Sequence, residues 1–313
     1  MQAFTIAIAR FKPTFYLPHC SIMILNFSYT DSCPIIPTPH NEIQFYVVGA
    51  GGTGSYLVPG LARLITEIKS KTHKKVSCTI VDPDTVEEIN IPRQNFQKAD
   101  IGLSKAKVLA MRYGFALGLE IKAIPSRFTS EMVNRGWRTL NIIVGCVDNA
   151  DARNDIRKCL DYNTPQEGAS VFWLDCGNHE ASGQVLLGTK KDFKISEAFD
   201  NKENPSLCIN LPSPTILHPE LLIPKPEEKG EPRLSCAEIQ MRNFQSLFVN
   251  QTCATHACQY LLDLTLTGGL RKFATYFDCI SGTSKSLYTC RETLNQFSNK
   301  HQNHTIKNHH ETL

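Results

Sequence analysis

The run Gln44–Val48, rich in aromatic and β-branched residues, passes without a spacer into Gly49-Ala50-Gly51-Gly52-Thr53-Gly54, and an amphipathic stretch from Ser55 to about Lys69 follows. Few local patterns restrict a fold more. A strand that ends in glycines and turns at once into a helix aims backbone N–H groups and the positive end of the helix at one point, which suits a phosphate. Gly49, Gly51 and Gly54 have the G-x-G-x-x-G spacing, with Gly52 between them. By itself the spacing serves NAD, FAD and ATP enzymes alike, and a bare strand-to-helix turn has the same glycines.

The rest of the chain keeps up the alternation. Val76–Val81 reads as a strand ending at Asp82. A helix with Ser104 as its N-cap runs to about Leu117, and Glu120–Ile124 is a short strand. Asn141–Val147 is apolar nearly throughout, as a parallel strand buried on both faces must be. A helix from Ala150 to about Leu160 and strands at Val171–Asp175 and Gly183–Leu187 follow. This order predicts an α/β, Rossmann-like fold: a mostly parallel sheet with helices on both faces. Residues 1–43 read as a leader and 44–189 as the nucleotide-binding domain. Seven prolines between 190 and 235 break the rhythm and predict an irregular crossover insertion. Residues 236–290 read as a long helix, with Phe244, Leu247, Phe248, Gln251, Thr255, Cys258 and Leu262 at three-and-four spacing, then a final strand at Arg271–Ile280. Residues 291–313 read as a flexible polar tail.

Composition excludes more than it assigns. The 33 basic and 30 acidic residues leave a net charge of +3, which asks for neither nucleic acid nor an anionic membrane. No run of eighteen apolar residues offers a membrane span. Arg10 and Lys12 follow the mildly apolar start, the reverse of a secretory signal, so a cytoplasmic location is expected. None of the twelve cysteines forms a C-x-x-C pair, which predicts reduced thiols and no structural zinc.

Four groups beyond the glycines carry chemistry. Asp82, at the end of the second strand, offers a carboxylate to ribose hydroxyls, with Asp84 as its competitor. Asn90, Arg93 and Gln94 follow on a loop. Arg93 can neutralise a triphosphate, while Asn90 can bond a phosphate or fix the loop, and hydride transfer has no use for this pair. Asp148-Asn149 follows the C-terminal end of the buried strand, where ligands of open α/β folds gather, although such a dipeptide is also a common helix cap. Cys236, just ahead of the long helix, is a candidate thioester nucleophile or a packing residue. The histidines His301, His304, His309 and His310 read as solvated.

The segment from Asp82 to Gln94 has the form D-x-D-x-V-x-x-x-N-x-x-R-Q. It resembles the family of ThiF, MoeB and the ubiquitin-activating enzymes. Asp100-Ile101-Gly102-Leu103-Ser104-Lys105 is similar to that family's D-x-G-x-x-K, which implies that Lys105 contacts a phosphate, with Lys107 as the alternative. Asp148-Asn149 with Arg153 resembles D-N-x-x-x-R, whose aspartate serves Mg²⁺ and ATP. Together with Ser235-Cys236-Ala237-Glu238 and Gln245–Asn250, these motifs look most like the ThiF-related proteins of bacterial PRTRC cassettes. The resemblance implies ATP-dependent adenylation of a carboxylate, often the C-terminus of a ubiquitin-like partner, by a homodimer. The family's R-Y-x-R-Q motif, which lends an arginine to the partner subunit, is absent, and Arg10 is a weak substitute. Two other functions share part of the pattern. An NAD(P)-dependent oxidoreductase accounts for Gly49–Gly54 and Asp82 but leaves Asn90, Arg93, Lys105 and Asp148 without a task. A non-catalytic nucleotide-binding protein accounts for the binding residues alone.

Overall fold

The computed structural model describes residues 27–163, 168–200, 205–224 and 248–298. Strand β1 (Glu42–Val48) leads through the glycines into helix α1 (Gly52–Lys71), then β2 (Lys75–Val81), α2 (Lys105–Leu117), β3 (Ile121–Ile124), β4 (Thr139–Gly145) and α3 (Ala150–Cys159). After β5 (Val171–Asn178) and β6 (Ser182–Gly188) come the short α4 (Pro214–Leu217), α5 (Val249–Leu262), β7 (Lys272–Asp278), β8 (Thr283–Tyr288) and α6 (Arg291–Ser298). The eight strands form one sheet in the order β3-β2-β1-β4-β5-β6-β7-β8. The five from β3 to β5 are parallel, and β6, β7 and β8 add antiparallel to the edge. The Rossmann-like expectation holds, and the order reverses between β1 and β4, where ligands of such sheets collect.

Both faces are covered. On one lie the apolar side chains of α1, α2 and α5, including Leu57, Leu61, Leu109, Ala257 and Leu261. On the other, Ile156 and Cys159 of α3 pack with Val48, Ile143 and Trp173. That double burial is why β4 is buried along its whole length and mostly apolar, with Thr139 and Asn141 as its polar residues. Ser104 caps α2 by accepting the Lys107 N–H, as the sequence suggests, and Gly118 closes it in a left-handed turn.

Several sequence expectations need correction. Cys33 and Ile35 of the supposed leader belong to the core. Ile35 is 1% exposed, and the Ile35 and Ile36 N–H groups donate to the carbonyls of Leu270 and Cys208. β4 ends at Gly145 rather than Val147, and the Cys146 N–H donating to the Val48 carbonyl is the last bond of its ladder with β1. Residues 291–298 are a helix, not tail: Leu294 and Phe297 are buried, and Phe297 sits edge-on to Phe273. β7 is followed by the edge strand β8, whose residues are half polar and exposed and so give no apolar alternation. In α5 the face named from spacing is wrong, since Gln251 and Thr255 face solvent. The packed face is Asn250, Cys253, Ala254, Ala257, Tyr260 and Leu261, mostly small residues that let α5 lie close on α1. At Gly60 of α1 a Cβ would come within 2.5 Å of Cys258 Sγ. The stretch expected to begin this helix at Cys236 lies outside the described residues, and so does Cys236 itself.

Candidate nucleotide site

The loop after β1 is built so tightly that side chains are barred from it. Gly49 has φ +93°, and a Cβ there would lie 2.7 Å from the Cys146 carbonyl oxygen. A Cβ on Gly54 would lie 2.0 Å from the Gly49 carbonyl oxygen. Glycine at these two places lets the chain reverse on itself at the C-terminal ends of β1 and β4. α1 then starts at Gly52 with no side chain capping it, so the N–H groups of its first turn are left to the loop side.

Asp82 braces this loop from the end of β2. Its Oδ2 accepts the Ala50 N–H at 2.5 Å and its Oδ1 accepts the Asp84 N–H at 2.8 Å. Burial raises its pKa, against the lowering effect of those two N–H groups and Lys105. Asp84 is exposed and accepts an ion pair from Lys105 Nζ at 3.1 Å, although the lysine itself is buried. Lys105 thus reaches from the first turn of α2 to the mouth of the β2 loop. Lys107, the other candidate, is exposed and stands elsewhere on the helix.

The Arg93 loop is held from several sides. Asn90 is buried, and its Oδ1 accepts the Glu87 N–H at 2.9 Å, so that oxygen fixes the loop. Asn95 is tied to α1 in a way that the helix itself makes possible. Pro59 lies inside α1 and has no N–H for the Ser55 carbonyl. Asn95 Nδ2 donates to that carbonyl at 3.2 Å, and the Asn95 N–H donates to Ser55 Oγ at 2.9 Å. The helix defect and the loop anchor are therefore one feature. Between these anchors, Arg93 Nε and Gln94 Oε1 are buried with no hydrogen-bond partner among the described residues. Buried polar atoms without protein partners are rare and fit a loop shaped around a polar ligand. Burial lowers the Arg93 pKa, and the charge of Asp148 acts against that. Asp148 is exposed, at the turn after β4. Asn149 caps α3 by accepting the Ala152 N–H at 2.9 Å, the structural role that such a dipeptide often has.

The fold thus brings Gly49–Gly54, Asp82, Asp84, Asn90, Arg93, Gln94, Lys105 and Asp148 to one end of the sheet. Cys236 is not among the residues described. No three or more His, Cys, Asp or Glu side chains converge as a metal-binding group among the described residues. Mg²⁺ does not require such a group, because it is commonly held by one or two carboxylates together with substrate phosphates. Asp148 is an exposed carboxylate of the type such a site uses. No helix described is long and apolar enough to cross a membrane.

The model of one protein family matches residues 40–306, nearly the whole chain, and that model is ThiF. The chain belongs to the ThiF family. Among solved structures, selenomethionine PaaA aligns at 12% identity and TM-score 0.50, over 79% of this chain and 64% of that one. E. coli MccB crystallised with ATP aligns at 13% identity and TM-score 0.45, over 79% and 64%. The same enzyme with AMPCPP and MccA aligns at 14% identity and TM-score 0.46. This ThiF-family chain spans less than two thirds of the length of these structures, and the likeness is one of fold. No curated protein matches the sequence.

Reading the sequence alone misses three parts of this site. Asn95 follows the R-Q pair directly, and Pro59 inside a helical pattern is the visible sign that a carbonyl needs an outside donor. Asp175 and Arg153 form a fully buried ion pair at 3.2 Å between β5 and α3, just behind the Asp148 turn. Burial raises the Asp175 pKa even though Arg153 lowers it. The third part is Asn250, from α5, which the sequence marks only as the end of the stretch Gln245–Asn250, with no role attached.

Proposed function

We propose that the protein adenylates a carboxylate with ATP. One observation carries this reading: a buried guanidinium Nε at Arg93 with no hydrogen-bond partner among the described residues, beside a glycine loop that opens onto an uncapped helix start. Membership of the ThiF family supports it.

The reaction is attack of a carboxylate oxygen on the α-phosphorus of ATP, forming the acyl–phosphate bond as the bond to pyrophosphate breaks. No general base is needed, because a carboxylate is already ionised at neutral pH. The chain's task is to hold the phosphates and neutralise the charge that builds on the leaving group. In this proposal the Gly49–Gly54 loop and the first turn of α1 receive phosphate oxygens. Arg93 and Lys105 face the negative charge. Asp82, whose oxygens each keep a second lone pair, receives the ribose hydroxyls, and Asp84 holds Lys105 at the mouth. Gln94 turns its amide to the same ligand, and Asn90 and Asn149 keep their loops in shape. Mg²⁺, when bound with ATP, supplies further charge neutralisation to the phosphates, and Asp148 is the carboxylate that holds it.

The acyl substrate in this reading is the C-terminus of a small ubiquitin-like protein, as the likeness to PRTRC-type relatives implies. The protein works as a homodimer in the cytoplasm. Cys236 is the residue through which any thioester forms. A titration of the purified protein with Mg-ATP and, separately, with NAD⁺ tests the nucleotide reading. ATP is expected to bind and NAD⁺ not; the opposite result replaces adenylation with an oxidoreductase.

A further inference from the structure

We propose that Asn250 is a positioning residue of the nucleotide site, a side chain from α5 that fixes the glycine loop and the Arg93 loop relative to each other. The inference rests on the ATP reading above. Asn250 is 4% exposed. Its Oδ1 accepts Asn178 Nδ2 at 2.7 Å and Thr53 Oγ1 at 3.4 Å, and its Nδ2 donates to the Arg93 carbonyl at 3.4 Å. It also explains a glycine that backbone geometry does not require. A Cβ on Gly52 would lie 2.4 Å from Asn250 Oδ1, so the absence of a side chain there is what admits the amide.

One side chain therefore touches the start of α1, the Arg93 loop and the end of β5, from a helix about two hundred residues away in the chain from the glycines it meets. Its individual bonds to Thr53 and Arg93 are long, so its contribution lies in registry more than in strength. Phosphate oxygens bound at the first turn of α1 must meet the Arg93 guanidinium with small tolerance, since misplacement of the order of 1 Å is costly in sites of this kind. The amide has both the acceptor that Asn178 and Thr53 need and the donor that the Arg93 carbonyl needs. Leucine has neither, and aspartate has the acceptors but no donor while ionised.

That difference supplies the test. Mg-ATP affinity is measured by calorimetry on the full chain, as wild type, Asn250→Ala and Asn250→Asp, across a range of pH, with circular dichroism as the check on folding. Asn250→Ala is expected to bind ATP about tenfold more weakly at an unchanged fold. Asn250→Asp sets a buried carboxylate against the Arg93 carbonyl and near the phosphates, and is expected to lose at least about tenfold at alkaline pH. As pH falls through the range of that carboxyl, which burial raises, the neutral form regains a donor and loses its charge. Affinity then recovers toward wild type, while wild type shows no such recovery. A residue that only packs would change folding and leave this pH profile alone. If Asn250→Ala fails to fold, the aspartate variant carries the test. Two folded variants with wild-type affinity and pH profile would overturn the inference and leave the ATP reading standing. A wild-type protein that binds no ATP would overturn both.

Discussion

Gly54 gives the sharpest test at the scale of single residues. A methyl group there would overlap the Gly49 carbonyl, at 2.0 Å, and the clash is with backbone rather than a side chain that can swing away. Gly54→Ala is therefore expected to open the loop and abolish nucleotide binding, read as loss of heat in an ATP titration. Wild-type affinity in that variant would mean that the loop does not hold the phosphates. At this scale the sequence was most legible where chemistry is local. The glycine run, the R-Q pair and the lysine at the start of α2 are each read from a few neighbouring residues, and all meet at one end of the sheet. Asn250 and Asp175 were not legible, because their roles come from partners far along the chain: Thr53 and Arg93 for the one, Arg153 for the other. Pro59 stood between the two cases. Its misfit in a helix was visible, but not that Asn95 would use the freed carbonyl.

Elements report on pH as well as packing. His40 stands just before β1 and Lys74 just before β2, and they meet at 2.8 Å through His40 Nε2, while Nδ1 lies 2.8 Å from the Thr38 carbonyl. The geometry suits a neutral imidazole that donates to Thr38 and accepts from the ammonium. Burial lowers the His40 pKa, and Lys74 lowers it further. A folded pKa below the unfolded value of about 6.5 means that this stability is present above that pH and is lost as pH falls through the folded pKa. The urea midpoint of the wild type should thus drop between about pH 7 and pH 5, and His40→Gln should lose part of that drop. An identical pH profile in the variant would remove His40 from the account. Elements also show where sequence reading fails. Buried β4 and amphipathic α1 announced themselves, but edge strand β8 has no apolar face to reveal it. α6 is short and polar apart from Leu294 and Phe297, so nothing local set it apart from a tail. In α5 the residues at three-and-four spacing pointed to the wrong stripe, because the packed face mixes small residues, Cys253, Ala254 and Ala257, with Asn250, Tyr260 and Leu261.

At the scale of the whole molecule, the packing of α5 gives the expected dimer no added support. The apolar face of α5 is used within its own chain, against α1 and strands β5 and β6. The homodimer is thus proposed on family resemblance, and mass measurement in dilute solution decides it: a dimer is expected, and an active strict monomer would refute it. The adenylation chemistry has a more direct test. Wild-type protein and Arg93→Ala are each incubated with Mg-ATP, labelled pyrophosphate and the small proteins encoded beside the gene, and the return of label into ATP is followed. The wild type is expected to catalyse exchange that depends on a free C-terminal carboxylate, and Arg93→Ala to fall by about 10²-fold or more. ATP binding without exchange for any such partner, or exchange that a folded Arg93→Ala retains in full, would contradict the account.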